Sequence, residues 1–229
     1  DWSSDVCSSD LEAQPVPAAV KVELVHRLQA AGLREIEVTR FVSPKWVPQM
    51  ADNAEVMGGL QRQSGVTYSV LTPNLKGLEA ALLTRPDAVV VFGSASEAFS
   101  QKNINCSIAE SIERFAPVVA AAHAAGVAVR GAMSCCLGCP YEGDVPPERV
   151  GYLAGLMKDI GIEHAYVADT IGVGTALAAR RMIGFIRAGQ MPSGTIINVS
   201  SIASERPSAA EIAGDLAERE QGTPPRSQI

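Results

Sequence analysis

Short runs rich in Val, Ile and Ala alternate along this chain with longer stretches whose apolar residues recur at helical spacing. The short runs are "EIEVT" (35–39), "VTYSVL" (66–71), "DAVVVFG" (87–93), "VAVRGAM" (127–133) and "HAYVAD" (164–169). Their length and β-branched content predict strands. The longer stretches predict helices near 17–31, 51–62, 75–84, 107–125, 147–160 and 175–188. In the first of these, Val20, Leu24 and Leu28 share one face with Val25 beside them, so that face is expected to point inward. "AAG" at 30–32 and again at 124–126 predicts helices that end in a left-handed glycine.

Repeated βα units predict a parallel sheet, either open or closed into a barrel. No G-x-G-x-x-G follows an early strand, which argues against a dinucleotide-binding open sheet. The loops after the strands are polar or glycine-rich: "RFVSPKW", "TPN", "GSASE", "SCCLGCPYEG" and "DTIGVGT". In a barrel all five open on one face, where such folds place their chemistry. "RFVSPKW" stands out because Pro44 and Pro48 restrict its backbone around Ser43, Lys45 and Trp46. A rigid loop beside a ligand is expected, with Trp46 packing it in place and Ser43 on the ligand side.

Composition narrows the classes. The chain has 229 residues, enough for one substantial core, and 47% hydrophobic against 5% aromatic residues favours aliphatic layers. A net charge of 19 − 25 = −6 argues against nucleic acid as a partner. No apolar run reaches the roughly 18 residues that cross a bilayer. "DWSSDVCSSD" has no Lys or Arg, so it reads as neither a secretory nor a mitochondrial leader. Five cysteines, with Cys135, Cys136 and Cys139 crowded together, suit a reducing, cytoplasmic setting. "CCLGC" contains C-x-x-C, the spacing of zinc and redox motifs, but a structural zinc needs four ligands and no second pair matches it.

Five segments occur in register: "FVSPKWVPQM" (41–50), "VLTPNLKG" (70–77), "KNINCSI" (102–108), "SCCLGCPYEG" (134–143) and "DTIGVGT" (169–175). With them, residues 12–182 closely resemble the hydroxymethylglutaryl-CoA lyases. The resemblance implies a TIM barrel, here incomplete, with about five family βα units and an unrelated βα segment at the C-terminal end. It implies three regions: a non-family leader at 1–11, a partial barrel at 12–188, and a non-family segment and polar tail at 189–229. It also implies cleavage of 3-hydroxy-3-methylglutaryl-CoA to acetyl-CoA and acetoacetate with a divalent metal, Mg or Mn. That chemistry needs a base for the C3 hydroxyl, a charge that stabilises the alkoxide and enolate, and an acid that protonates the enolate.

By resemblance, Glu37 matches an acid on the second family strand and Asp169 matches the Asp of D-T-I-G; these are the catalytic candidates. Read from the residues alone, Glu37 is equally a half-buried carboxylate in an apolar strand, and Asp169 a helix N-cap. Ser43, Asn103, Ser107 and Arg130 are the substrate-binding candidates, Arg130 also as one half of a barrel-interior salt bridge. Lys45, Lys76 and Lys102 could meet acyl-CoA phosphates, or be ordinary surface charge. Arg40 stands where the resemblance implies a small residue, filling part of the site or pairing with Glu37.

Three family motifs are absent: Val6 and Cys7 occupy the place of R-D-G, and neither H-x-H nor G-G-C-P follows "DTIGVGT". The family's direct metal ligands are therefore missing from this sequence, leaving Glu37 as an outer-shell candidate only. The chain as written is expected to be inactive, a truncated or chimeric copy that self-associates through two open barrel edges. The alternative is a non-catalytic fragment that binds an acyl-CoA or a partner barrel. "GTIINVSSIAS" (194–204) resembles a strand of the short-chain dehydrogenases, but no Tyr-x-x-x-Lys follows it, and "PSAAEIAGDLAERE" (207–220) predicts an amphipathic helix.

Overall fold

The computed structural model describes residues 15–45, 47–188 and 193–195. Expectations for the 1–11 leader, Trp46 and the 207–220 helix lie outside the described residues. Helix α1 (Ala18–Ala30) precedes β1 (Glu35–Arg40), then come a 3₁₀ turn at Pro48–Met50 and α2 (Asn53–Gly58). Next are β2 (Thr67–Leu71), α3 (Leu75–Leu83), β3 (Ala88–Ser94), α4 (Glu97–Ile104) and α5 (Ile108–Ala124). The series ends with β4 (Ala128–Ser134), α6 (Pro147–Asp159), β5 (His164–Val167), α7 (Ala176–Ala188) and β6 (Ser193–Thr195). All five sequence-predicted strands form within two residues of their expected ends.

The six strands are parallel and lie in the order β1-β2-β3-β4-β5-β6. That order decides between the two architectures. A doubly wound sheet reverses direction at a switch point, whereas a barrel adds each strand beside the last. Five βα units in unbroken order, followed by β6 on β5, are the run of a partial TIM barrel.

Alternation along the strands divides the sheet into two faces. Val70, Val89, Val91, Val129 and Met133 belong to one continuous core with the helices. A methyl on Gly93 or Gly131 would meet the Met157 side chain of α6 at 2.9 and 2.7 Å, so these glycines let α6 approach the sheet. The other face carries Glu37 opposite Ser69, and Arg130 opposite Val90.

Three helices differ from expectation. In α1 the buried positions are Ala18, Lys21, Val25 and Gln29, while Val20 is 47% exposed, so the inward stripe is turned by one residue from Val20-Leu24-Leu28. The cause is polar. Lys21 Nζ donates to both carboxylate oxygens of Asp52, at 2.7 and 2.9 Å, and to the Gln49 carbonyl, and Gln29 Nε2 donates to the Gln61 carbonyl at 3.1 Å. Lys21→Met should cost about 3 kcal/mol by leaving the Asp52 carboxylate without its buried cation, read as a lower urea midpoint with unchanged slope. Helix α2 stops at Gly58 rather than 62, with Gly59 as its C-cap. Helix α4 forms where loop was expected, because Ser96 accepts from the Phe99 amide at 3.0 Å and Asn105 ends the helix in the left-handed region, φ 51°.

The glycine ends predicted at "AAG" are present: Gly32 and Gly126 have φ 91° and 71°.

Candidate functional site

The C-terminal ends of the strands are built by two interlocked loops. Cys135, after β4, sits at φ 58°, a strained value for a non-glycine residue. Its amide donates to Thr170 Oγ1 at 2.7 Å, and the Cys136 amide donates to the Ala168 carbonyl at 3.2 Å. Asp169 follows β5 and is 7% exposed. Its carboxylate accepts from the Val173 amide at 3.2 Å and the Gly174 amide at 2.7 Å. A methyl on Gly174 would lie 2.7 Å from Asp169 Oδ2, and one on Gly138 2.6 Å from the Val173 side chain. "SCCLGC" and "DTIGVG" therefore form one unit with Asp169 as its organising anion. Asp169 is therefore not the helix N-cap that the sequence suggested: its amide partners belong to the loop, two to three residues before α7 begins, and Thr175 Oγ1 accepts from the Ala178 amide at 3.2 Å in its place.

Glu37 and Arg40 share the end of β1. The register with β2 shifts between Glu37 and Thr39, and this bulge places residues three apart on the same side. Arg40 Nε lies 3.8 Å from Glu37 Oε1, with the two side chains 4% and 14% exposed. Arg40 thus pairs with the acid, one of the two roles expected for it. Three strands separate this pair from the loop that carries Asp169.

Ser43 lies in the loop beyond, on the wall of a cavity of about 700 Å³ and of a second of about 290 Å³ that shares Val42, Ser43, Asn74 and Lys76. Asn103 is half-buried on α4, next to Ile104, which lines the larger cavity. Ser107 is occupied structurally. Its hydroxyl accepts from the Glu110 amide at 3.2 Å while Glu110 Oε2 accepts from the Ser107 amide at 2.8 Å, a reciprocal cap that starts α5. Those bonds hold the Glu110 carboxyl below its ordinary range. Lys102 stands 4.6 Å from the centre of the Tyr141 ring; Lys45 and Lys76 are exposed.

Arg130 lies lower in the sheet, at the third position of β4. Its Nη2 is 3.7 Å from Glu35 Oε1, the interior salt bridge expected of it. His164 and Tyr166 of β5 complete this cluster, their rings 5.9 Å apart and edge-on. Burial, then the nearby Glu35 carboxylate, pushes the Tyr166 phenol up to about 12. Burial, then the Arg130 charge, lowers His164. Sequence reading passed over Glu35, His164 and Tyr166. The available signal was polar residues two apart within a strand, Glu35/Glu37 and His164/Tyr166, which must share a face. A His lowered on folding takes up its proton more readily when unfolded. The stability it gives is complete above about pH 6.5 and is lost as pH falls through its folded value. The melting temperature should therefore drop from pH 7 to pH 5, and His164→Phe should flatten that dependence.

The fit to a divalent ion is poor. Among the described residues no group of three or more His, Cys, Asp or Glu side chains is placed to hold a metal. His26 Nε2 accepts from the Gln61 amide, His164 sits with Arg130, and the Glu37 carboxylate faces a guanidinium. Cys106, Cys135, Cys136 and Cys139 are buried thiols without disulfides, and burial pushes Cys136 up to about 12, the opposite of a metal-ready or nucleophilic thiol.

The family model described as HMGL-like matches residues 9–199, a span that takes in every described strand. The chain belongs to the HMGL-like family. It is 57% identical over 172 residues to a Pseudomonas aeruginosa protein named 3-hydroxy-3-isohexenylglutaryl-CoA/hydroxy-methylglutaryl-CoA lyase, covering 75% of this chain and 57% of that one. It is 50% identical over 175 residues to the bovine mitochondrial hydroxymethylglutaryl-CoA lyase, covering 76% and 54%. It is 48% identical over 185 residues to the zebrafish 3-hydroxy-3-methylglutaryl-CoA lyase named as cytoplasmic, covering 81% and 55%. The chain thus spans a little over half the length of these curated relatives. The solved structure of hydroxymethylglutaryl-CoA lyase from Pseudomonas aeruginosa superposes with a TM-score of 0.78 at 48% identity, covering 92% of this chain and 70% of that one. An Acinetobacter baumannii HMG-CoA lyase solved with coenzyme A and 3-methylmalate gives 0.73 at 28% identity, covering 79% and 59%. No described helix of this HMGL-like chain is long and apolar enough to cross a membrane.

Proposed function

We propose that this chain is part of a carbon–carbon lyase that acts on 3-hydroxy-3-methylglutaryl-CoA and releases acetyl-CoA and acetoacetate. The observation that carries the reading is the family match over 9–199, through the strand ends that hold Glu37 and Asp169. Glu37 is the carboxylate toward which the proton of the C3 hydroxyl moves, and Arg40 is the neighbouring cation that steadies it. Asp169 fixes the double loop that forms the opposite wall. As the C2–C3 bond breaks, electrons flow to the thioester carbonyl, and the resulting enolate takes up a proton at C2. No step is assigned to a metal, because the described residues offer no ligand set for one.

The alternative is an acyl-CoA-binding chain without turnover, in keeping with described residues among which no three His, Cys, Asp or Glu side chains are grouped to hold a metal. Supplying the purified chain with 3-hydroxy-3-methylglutaryl-CoA and Mn²⁺, and following acetoacetate and heat of binding together, separates the two. Acetoacetate release that Glu37→Gln reduces at least tenfold supports the lyase. Thioester binding with no acetoacetate leaves the binding reading, and neither signal ends both.

A cytoplasmic location belongs to the proposal and rests on the four buried thiols. Self-association does too, through β1 and β6, the outermost strands of the sheet among the described residues. A monomer in sedimentation would contradict it.

A further inference from the structure

The cavity of about 700 Å³ has a lining unlike the rest of the site. Val42 and Ser43 supply one side, from the loop that continues β1 beyond Glu37 and Arg40. Leu75 opens α3 on a second side, and Ile104, Phe92 and Phe115 add apolar wall, with the two rings 5.2 Å apart. Among the described residues Lys76 and Arg114 are the charged side chains that line it, and none is acidic. The volume falls in the range of small-molecule sites, and far exceeds what a single methyl group fills.

From this we infer that the cavity is a receptor for the apolar chain of an acyl-CoA, longer than a methyl branch, with Lys76 and Arg114 favouring the anionic remainder of the ligand. The inference rests on the acyl-CoA reading above. Three features carry it. The walls are aliphatic and aromatic, so a hydrocarbon is stabilised there by release from water. The charges at hand are positive only, which suits a thioester bearing phosphates and disfavours a neutral or cationic lipid. Ser43 and Val42 also line the smaller adjoining cavity, so the two cavities flank the same loop at the end of β1. Each methylene buried in such a cavity should raise affinity roughly fourfold.

The test measures calorimetric binding of free CoA, acetyl-CoA and octanoyl-CoA to the whole chain, its Leu75→Trp variant and its Ile104→Phe variant. Leu75 is 44% exposed, so a tryptophan there should narrow the cavity without disturbing the core. The expected result is octanoyl-CoA at least tenfold tighter than acetyl-CoA. Both variants should weaken octanoyl-CoA at least tenfold while leaving acetyl-CoA within about twofold. Equal affinity for the two thioesters overturns the inference and leaves the acyl-CoA reading standing. So does a variant that weakens all three ligands alike, since the cavity would then hold the CoA portion. If none of the three binds while circular dichroism shows folded protein, the acyl-CoA reading falls and the inference falls with it.

Discussion

Asp169→Ala is expected to lower the stability of the chain by about 2–4 kcal/mol and to loosen both loops at the C-terminal end of the sheet. The carboxylate is 7% exposed and accepts from two backbone amides, Val173 and Gly174. Removing it leaves those donors without their acceptor, and a buried donor left unsatisfied costs about 1–3 kcal/mol. The damage should spread to the other loop, because Thr170, next in sequence, accepts from the Cys135 amide that holds a left-handed backbone. Asp169→Asn keeps one carbonyl oxygen and should lose roughly half as much. Hydrogen exchange is the readout that separates this account from general destabilisation. The Cys135, Val173 and Gly174 amides should exchange faster in Asp169→Ala, while those of β3 change only with global stability. Unchanged protection at Gly174 would mean that the carboxylate does not organise the loop.

Gly77→Ala should also destabilise the chain, with a sign opposite to helix propensity. Alanine at a helix interior gains about 1 kcal/mol over glycine. At Gly77, however, the new methyl runs into the Phe41 carbonyl oxygen, a backbone atom rather than a side chain that can turn away. Phe41 cannot retreat readily, because its amide donates to the Leu71 carbonyl at 2.8 Å. Overpacking of this kind costs about 1–3 kcal/mol, so a net loss of up to about 2 kcal/mol is expected. Gly155 in α6 is the control, since a methyl there meets nothing within 4 Å. Gly155→Ala should stabilise by up to about 1 kcal/mol. Denaturant midpoints of the two variants moving in the same direction would contradict the steric argument. The same contact seats α3 against the loop that carries Ser43, so Gly77→Ala should also weaken any ligand held in the adjoining cavity.

Much of the fold was legible because local patterns and tertiary structure agreed. After Asp87, "AVVVFG" is apolar throughout, as a strand covered on both faces must be, and it became the most buried strand, β3. The helix predicted near 107–125 formed, although its Ser107–Glu110 cap was read as a ligand contact rather than a helix start, and Gly32 and Gly126 marked two helix ends. The motifs were legible too. Five segments in register point to the family, and 57% identity to a curated lyase agrees with them.

Other features depended on residues distant in sequence. Lys21 reads as surface charge in "AAVKVELV", and only Asp52 and the Gln49 carbonyl, more than 25 residues on, make it a buried residue and turn α1 toward them. Glu37 and Arg40 lie three apart, a spacing at which a regular strand places them on opposite faces; a bulge puts them side by side. The Glu35–Arg130–Tyr166 cluster draws on three strands, so local spacing marks its members as sharing a face but does not bring them together. The choice between open sheet and barrel rested on strand order, which is a property of pairing between segments. What the sequence by itself determined was where strands and helices form and which family they belong to, since hydrophobic period, caps and motifs are local. Only the tertiary structure decided which charges meet and what space lies between the loops, because both depend on how distant segments approach.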